Sequence, residues 1–139
     1  MLETFETVAK AVADPNRVRI IKLLERGELC VCQVTTVLDL APATISKHLS
    51  ALKIAGLLQT RRDGKWVYYR LAERRLNPYA PQFLALIRGS LTNDPTTAED
   101  RRVLAMVNAV PLQTLCDQGR AALGPHAPET RVTCCGTAP

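Results

Sequence analysis

Two thiols stand two residues apart in Glu28-Leu29-Cys30-Val31-Cys32, and three more, Cys116, Cys134 and Cys135, lie far downstream. Thiolates are soft ligands for thiophilic centres, and they are also readily oxidised. The opening stretch MLETFETVAK is acidic and amphipathic, unlike a signal peptide, so a cytoplasmic location is expected. Cytosolic thiols are kept mostly reduced. The odd count of five cysteines also argues against a fully paired set. Metal, metalloid or redox chemistry is therefore expected ahead of a disulfide framework. Adjacent Cys134 and Cys135 sit in a segment rich in Pro, Gly and Thr, where reactivity or ligation is their expected use. Cys116 lies beside Leu112 and Leu115 and reads either as packed or as a further ligand.

Spacing limits what Cys30 and Cys32 can do together. In an α-helix, residues two apart point about 200° away from one another. In extended backbone they lie on one side. Gripping one centre with both sulfurs is therefore expected to unwind or distort the start of a helix placed here. The alternative is that both are small buried hydrophobes, a common fate of cysteine.

The basic residues suggest a partner. The net charge is +5. Eight bases fall between positions 43 and 75: Lys47, Lys53, Arg61, Arg62, Lys65, Arg70, Arg74 and Arg75. Only Asp63 and Glu73 oppose them, so this segment carries the whole surplus. Such concentration is the footprint of nucleic-acid binding, or of a solvated basic face.

The elements that must position these groups are mostly helical. At 139 residues the chain suits one domain, and 47% hydrophobic with 4% aromatic content implies an aliphatic core. Phe5, Val8 and Val12 form one stripe, and Val18, Ile21 and Leu24 another. Between them Asp14 can cap a helix that starts at Pro15, with Gly27 closing it. The stretch ELCVCQVTTVLDL reads as a short helix with Leu29, Val34, Val37 and Leu38 for packing. A further helix from Pro42 carries Ile45, Leu49 and Leu52 at i, i+4 and i+7, and Gly56 ends it. Two short helices, a tight connection and a basic second helix form a helix-turn-helix pattern. After Gly56 the period changes to alternation, with Asp63-Gly64 as the hairpin turn. Later helices carry Phe83, Leu84, Ile87 and Leu91, then Val103, Leu104 and Val107, the second opened by a capping-box spacing at Thr96 and Glu99. The fold class expected is mainly α with a β-hairpin wing, a winged helix-turn-helix.

Thr44, Ser46, Lys47, His48 and Lys53 then face outward from or flank the basic helix, with donors that reach phosphates and base edges. Arg61, Arg62 and Lys65 surround the hairpin turn, where they can straddle a backbone or enter a minor groove. Tyr68 can add a phosphate hydrogen bond, and Trp66 reads as hairpin packing.

The stretches ADPNRVRIIKLLERGELCVCQV and APATISKHLSALKIAGLLQTRRDGKWVYYRL, in this order, resemble the ArsR/SmtB family of metal- and metalloid-sensing repressors over about residues 3–92. ELCVC is similar in particular to the arsenite-responsive branch. The resemblance implies a homodimer joined through the first and post-wing helices. It implies double-stranded operator DNA as partner, and As(III) or Sb(III) as inducer taken by Cys30 and Cys32. The chain departs from the best-known motif, which has a third cysteine where Thr35 stands. Cys116, Cys134 and Cys135 are the candidates for the missing sulfur, from either subunit, unless a small molecule supplies the ligand. The family's interface zinc site looks missing, since residues 78–91 contain no His, Asp or Glu. No cysteine precedes Cys30, as a cadmium/lead-type site would require.

The expected organisation is a DNA-binding and dimerisation domain over 1–92, a helical extension over 93–123, and a flexible cysteine-containing tail over 124–139. The alternative function is a repressor that senses thiol oxidation or a soft metal such as cadmium, lead or zinc. An enzyme is disfavoured because no thioredoxin-like Cys-x-x-Cys, phosphate loop or nucleophile–base pair is evident. No organic cofactor is expected. With no run of 18 apolar residues, no membrane partner is expected either.

Overall fold

A computed structural model describes residues 1–73 and 75–126. Two helices open the chain, α1 (Leu2–Val12) and α2 (Pro15–Leu24). Asp14 separates them as expected: its Oδ1 accepts from the backbone N–H groups of Asn16 and Arg17 at 2.8 and 3.2 Å, and Pro15 occupies the first turn. The helix stops at Leu24, with Glu25 still in right-handed helical geometry as its cap. Gly27 is therefore not the cap; with φ +134° it turns the chain towards a strand instead.

That strand is the main departure from the sequence reading. Leu29–Cys30 forms β1, and α3 begins only at Val31 and runs to Leu38. Glu28 through Cys30 were expected within the helix. Cys30 is extended, with φ −80° and ψ 156°, and its N–H donates to Gln33 Oε1 at 2.8 Å. Leu29 pairs with Tyr69 and Cys30 with Tyr68. Leu29 also gains burial there, at 4% exposure.

Asp39, in the left-handed region, ends α3 and leads over a short connection into α4 (Pro42–Ile54). Ile45, Leu49 and Leu52 are fully buried, as their spacing predicts. Each such side chain contributes roughly 1.5–3 kcal/mol on burial, which fixes the rotation of α4 about its axis. Gly56 ends the helix as expected. Its N–H donates to Lys53 O, and that of Leu57 to Leu52 O, the paired bonds of a Schellman motif. Gly56 has φ +77°, and a Cβ there would lie 2.9 Å from Asn77 Cβ.

The wing consists of β2 (Leu58–Asp63) and β3 (Trp66–Leu71). Because Asp63 pairs with Trp66, the two turn residues are Gly64 and Lys65, one position later than read from the sequence. Sheet order is β1-β3-β2, all antiparallel, so the segment holding Cys30 is the third strand of the wing sheet.

Four further segments follow: α5 (Ala80–Arg88), α6 (Pro95–Asn108), α7 (Leu112–Gln118) and a 3-10 stretch, Gly119–His126. Leu91 lies beyond α5 and is 42% exposed, so it does not continue that helix's apolar stripe. Asp94, not Thr96, caps α6, accepting from Thr97 N–H at 3.0 Å. Pro95 in the first turn fixes that earlier start. Val103, Leu104 and Val107 are buried as expected. A bidentate pair anchors α6 on α2: Arg19 Nε and Nη2 donate to Asp100 at 2.8 and 2.9 Å. The Asp100 side chain is 4% exposed and that of Arg19 12%.

Candidate nucleic-acid interface and thiol site

With α4 pinned by its three buried residues, Ser46, Lys47 and Lys53 project into solvent, and Thr44 and His48 are half-buried. His48 is also a joint between helices. Its Nδ1 accepts from Arg17 Nε of α2 at 3.2 Å. Burial chiefly holds the imidazole below its ordinary pKa, and the Arg17 charge adds to this against the opposing pull of Asp14.

On the wing, Arg61, Arg62 and Lys65 are exposed and Tyr68 half-buried. Arg61 sits over the Tyr68 ring, 4.4 Å from its centroid, and directly opposite it in the strand register. Its Nε donates to the Glu28 carboxylate at 2.8 and 3.0 Å. That hydrogen bond holds the Glu28 carboxyl below its usual range and raises the Arg61 guanidinium. The residue two before Cys30 is thereby tied to the wing, a link that sequence reasoning missed although Glu28 opens the quoted stretch. Lys65 lies over Trp66 and donates to Gln113 of α7.

The sulfurs are divided. Cys30 is 3% exposed and a free thiol. Cys32, in the first turn of α3, is joined to Cys116 of α7 by a disulfide across a sequence separation of 84. The expectation of unpaired thiols is thus corrected for these two, because α7 packs directly on α3. Both are half-buried. Cys134 and Cys135 lie outside the described residues. Among the described residues, no three His, Cys, Asp or Glu side chains converge as metal ligands would. The helix boundary falls between Cys30, which is extended, and Cys32, which lies in the first turn of α3.

Arg120, another residue that no local signal marks, completes the junction. Its Nε and Nη2 donate to Thr36 O and Val37 O, both at 3.0 Å, and it pairs with Asp39 at 3.7 Å. A cation at the last carbonyls of α3 satisfies groups the helix itself leaves open. Gln33 also reaches Asn108 of α6 at 3.4 Å.

A family profile described as "Bacterial regulatory protein, arsR family" matches residues 14–60. The chain is 46% identical over 84 residues to the arsenic resistance transcriptional regulator ArsR1 of Pseudomonas putida, covering 59% of this chain and 62% of that protein. It is 41% identical over 99 residues to the arsenical resistance operon repressor of Escherichia coli K12, covering 70% of this chain and 77% of that repressor. Among solved structures, a homodimeric winged helix-turn-helix DNA-binding domain from Mycobacterium bovis superposes with a TM-score of 0.55 at 34% identity, over 63% of this chain and 78% of that domain.

Proposed function

The chain belongs to the ArsR family of bacterial regulatory proteins, which are DNA-binding transcriptional regulators, and we propose that it is a repressor whose operator complex is released by As(III) or Sb(III). The observation that supports this reading is the meeting of Cys32, on the helix α3 that packs against α4, with Cys116 of α7. The working unit is a homodimer. Leu2 and Phe5 of α1 and Leu86 of α5 leave apolar surface exposed, and Phe5 stacks edge-on against Tyr79 and lies against Phe83, a face suited to a second copy.

In the DNA-bound state α4 enters the major groove, with Ser46, Lys47 and Lys53 at phosphates and base edges and Thr44 beside them. Lys65 of the turn and Arg62 near the end of β2, with Arg61 and Tyr68 behind them, follow the flanking backbone. His48 acts mainly by positioning α4 through Arg17.

Trivalent arsenic or antimony supplies a soft centre that takes thiolates. Reduced Cys32 and Cys116 are placed to provide two, and Cys30 the third. In this reading β1 shifts as the Cys30 sulfur joins the other two, at the expense of the Cys30 pairing to Tyr68 and its N–H bond to Gln33. Glu28 moves with it and carries Arg61. The wing and α4 then leave their DNA-competent arrangement. A ligand moves such an equilibrium only by its preference for one state, about 1.4 kcal/mol per tenfold.

The test is fluorescence anisotropy of the reduced protein on its own upstream DNA, with arsenite and zinc added separately. Release by arsenite at micromolar levels but not by zinc supports the proposal. Release by zinc alone refutes the choice of ligand.

A further inference from the structure

Cys32 and Cys116 are half-buried residues, whereas Cys30 is enclosed. Contacts other than the bond also hold the elements that carry Cys32 and Cys116. Arg19–Asp100 holds α6 on α2, Arg120 holds the 3-10 stretch on the end of α3, and Gln33 touches Asn108. The two thiols therefore face each other in the reduced protein as well, which makes their oxidation intramolecular. In the disulfide-bonded structure α4 keeps its buried anchors and its exposed Ser46, Lys47 and Lys53. The bond therefore leaves the groups proposed to contact DNA exposed.

We propose that Cys32 and Cys116 form a reversible dithiol–disulfide couple that locks the repressor on DNA and makes it unresponsive to metalloid while oxidised. This rests on the reading that Cys32 is an inducer ligand. A disulfide sulfur has no thiolate to give, so oxidation removes two of the three donors at once. The oxidant is a hydroperoxide. One thiolate attacks the peroxide oxygen, giving a sulfenic acid and releasing the alcohol, or water from hydrogen peroxide. The second thiol then displaces the sulfenic hydroxyl as water, so two thiols and one hydroperoxide yield one disulfide, one alcohol and one water. Reduction runs by thiol–disulfide exchange through a mixed disulfide with a cellular dithiol, which is itself oxidised.

The experiment uses the full chain, reduced with a phosphine, which leaves no competing thiol, or treated with stoichiometric hydrogen peroxide. Peptide mass mapping locates the bond, and anisotropy on the upstream DNA follows arsenite titration. The expected result is a Cys32–Cys116 bond, operator affinity within about threefold of the reduced form, and a rise of at least about tenfold in the arsenite needed for half release. Re-reduction restores the response, and in Cys116→Ser, used for mass mapping alone, peroxide leaves Cys32 without a bond to position 116. Equal arsenite sensitivity in both forms overturns the lock, as does release of DNA by peroxide alone or a bond formed elsewhere. If the reduced protein itself ignores arsenite, the ligand reading fails and the lock falls with it.

Discussion

Replacing Asp100 with alanine removes the carboxylate that two Arg19 nitrogens grip at 2.8 and 2.9 Å. Removing one partner of a buried pair costs about 3–5 kcal/mol, chiefly by stranding the other charge. Arg19 keeps its bond to Asn16 Oδ1 at 3.0 Å, and its side chain is 12% exposed, so the lower end applies, about 3 kcal/mol. With a denaturant slope of about 2 kcal/mol/M, the urea midpoint falls by roughly 1.5 M. The assay is urea unfolding of reduced protein at one fixed concentration, since dimerisation contributes to the apparent stability. Asp100→Ala also loosens α6 and, with it, the α7 that carries Cys116, so peroxide closes the Cys32–Cys116 bond more slowly. Exchanging both partners for apolar residues, Arg19→Met with Asp100→Leu, recovers most of the loss. A midpoint change below about 0.3 M would refute the view that this pair anchors the extension.

Lys47→Ala and Lys53→Ala each weaken DNA binding across sequences and lower the slope of log affinity against log salt by about one, measured by anisotropy at several salt concentrations. Glu28→Gln releases Arg61 for phosphate, so DNA binding tightens and its salt slope steepens; weaker binding would show that the ion pair positions the wing instead. His48 is held below its ordinary value of 6.5 in the fold, so the unfolded chain binds more protons around that pH and stability rises with pH there. Its contribution is complete above 6.5 and is lost on acidification, and His48→Gln, which keeps an acceptor for Arg17, flattens the pH dependence seen in thermal unfolding.

The elements legible in the sequence are those with local causes. Asp14 followed by Pro15 specifies a helix start, Gly56 specifies a left-handed stop, and Ile45, Leu49 and Leu52 specify the buried face of α4. The strand β1 was not legible, because two residues carry no periodicity and Leu29 and Cys30 become a strand only through β3. The hairpin turn moved by one residue because Asp63 still pairs with Trp66. The Cys-x-Cys pair and the basic stretch drew attention to the site through chemistry. The nearness of Cys116 to Cys32 arises from the packing of α7 on α3, across 84 residues that no local pattern spans. The same holds for Arg120 at the end of α3 and for the bond from Lys65 to Gln113.

The most direct test of the central claim is arsenic X-ray absorption of the reduced protein loaded with one equivalent of arsenite, beside its Cys116→Ser variant. The account predicts about three sulfurs around arsenic in the native chain and about two in the variant. Three sulfurs in the variant, lost only when Cys134 and Cys135 are replaced, would contradict it and assign the remaining donor to the tail.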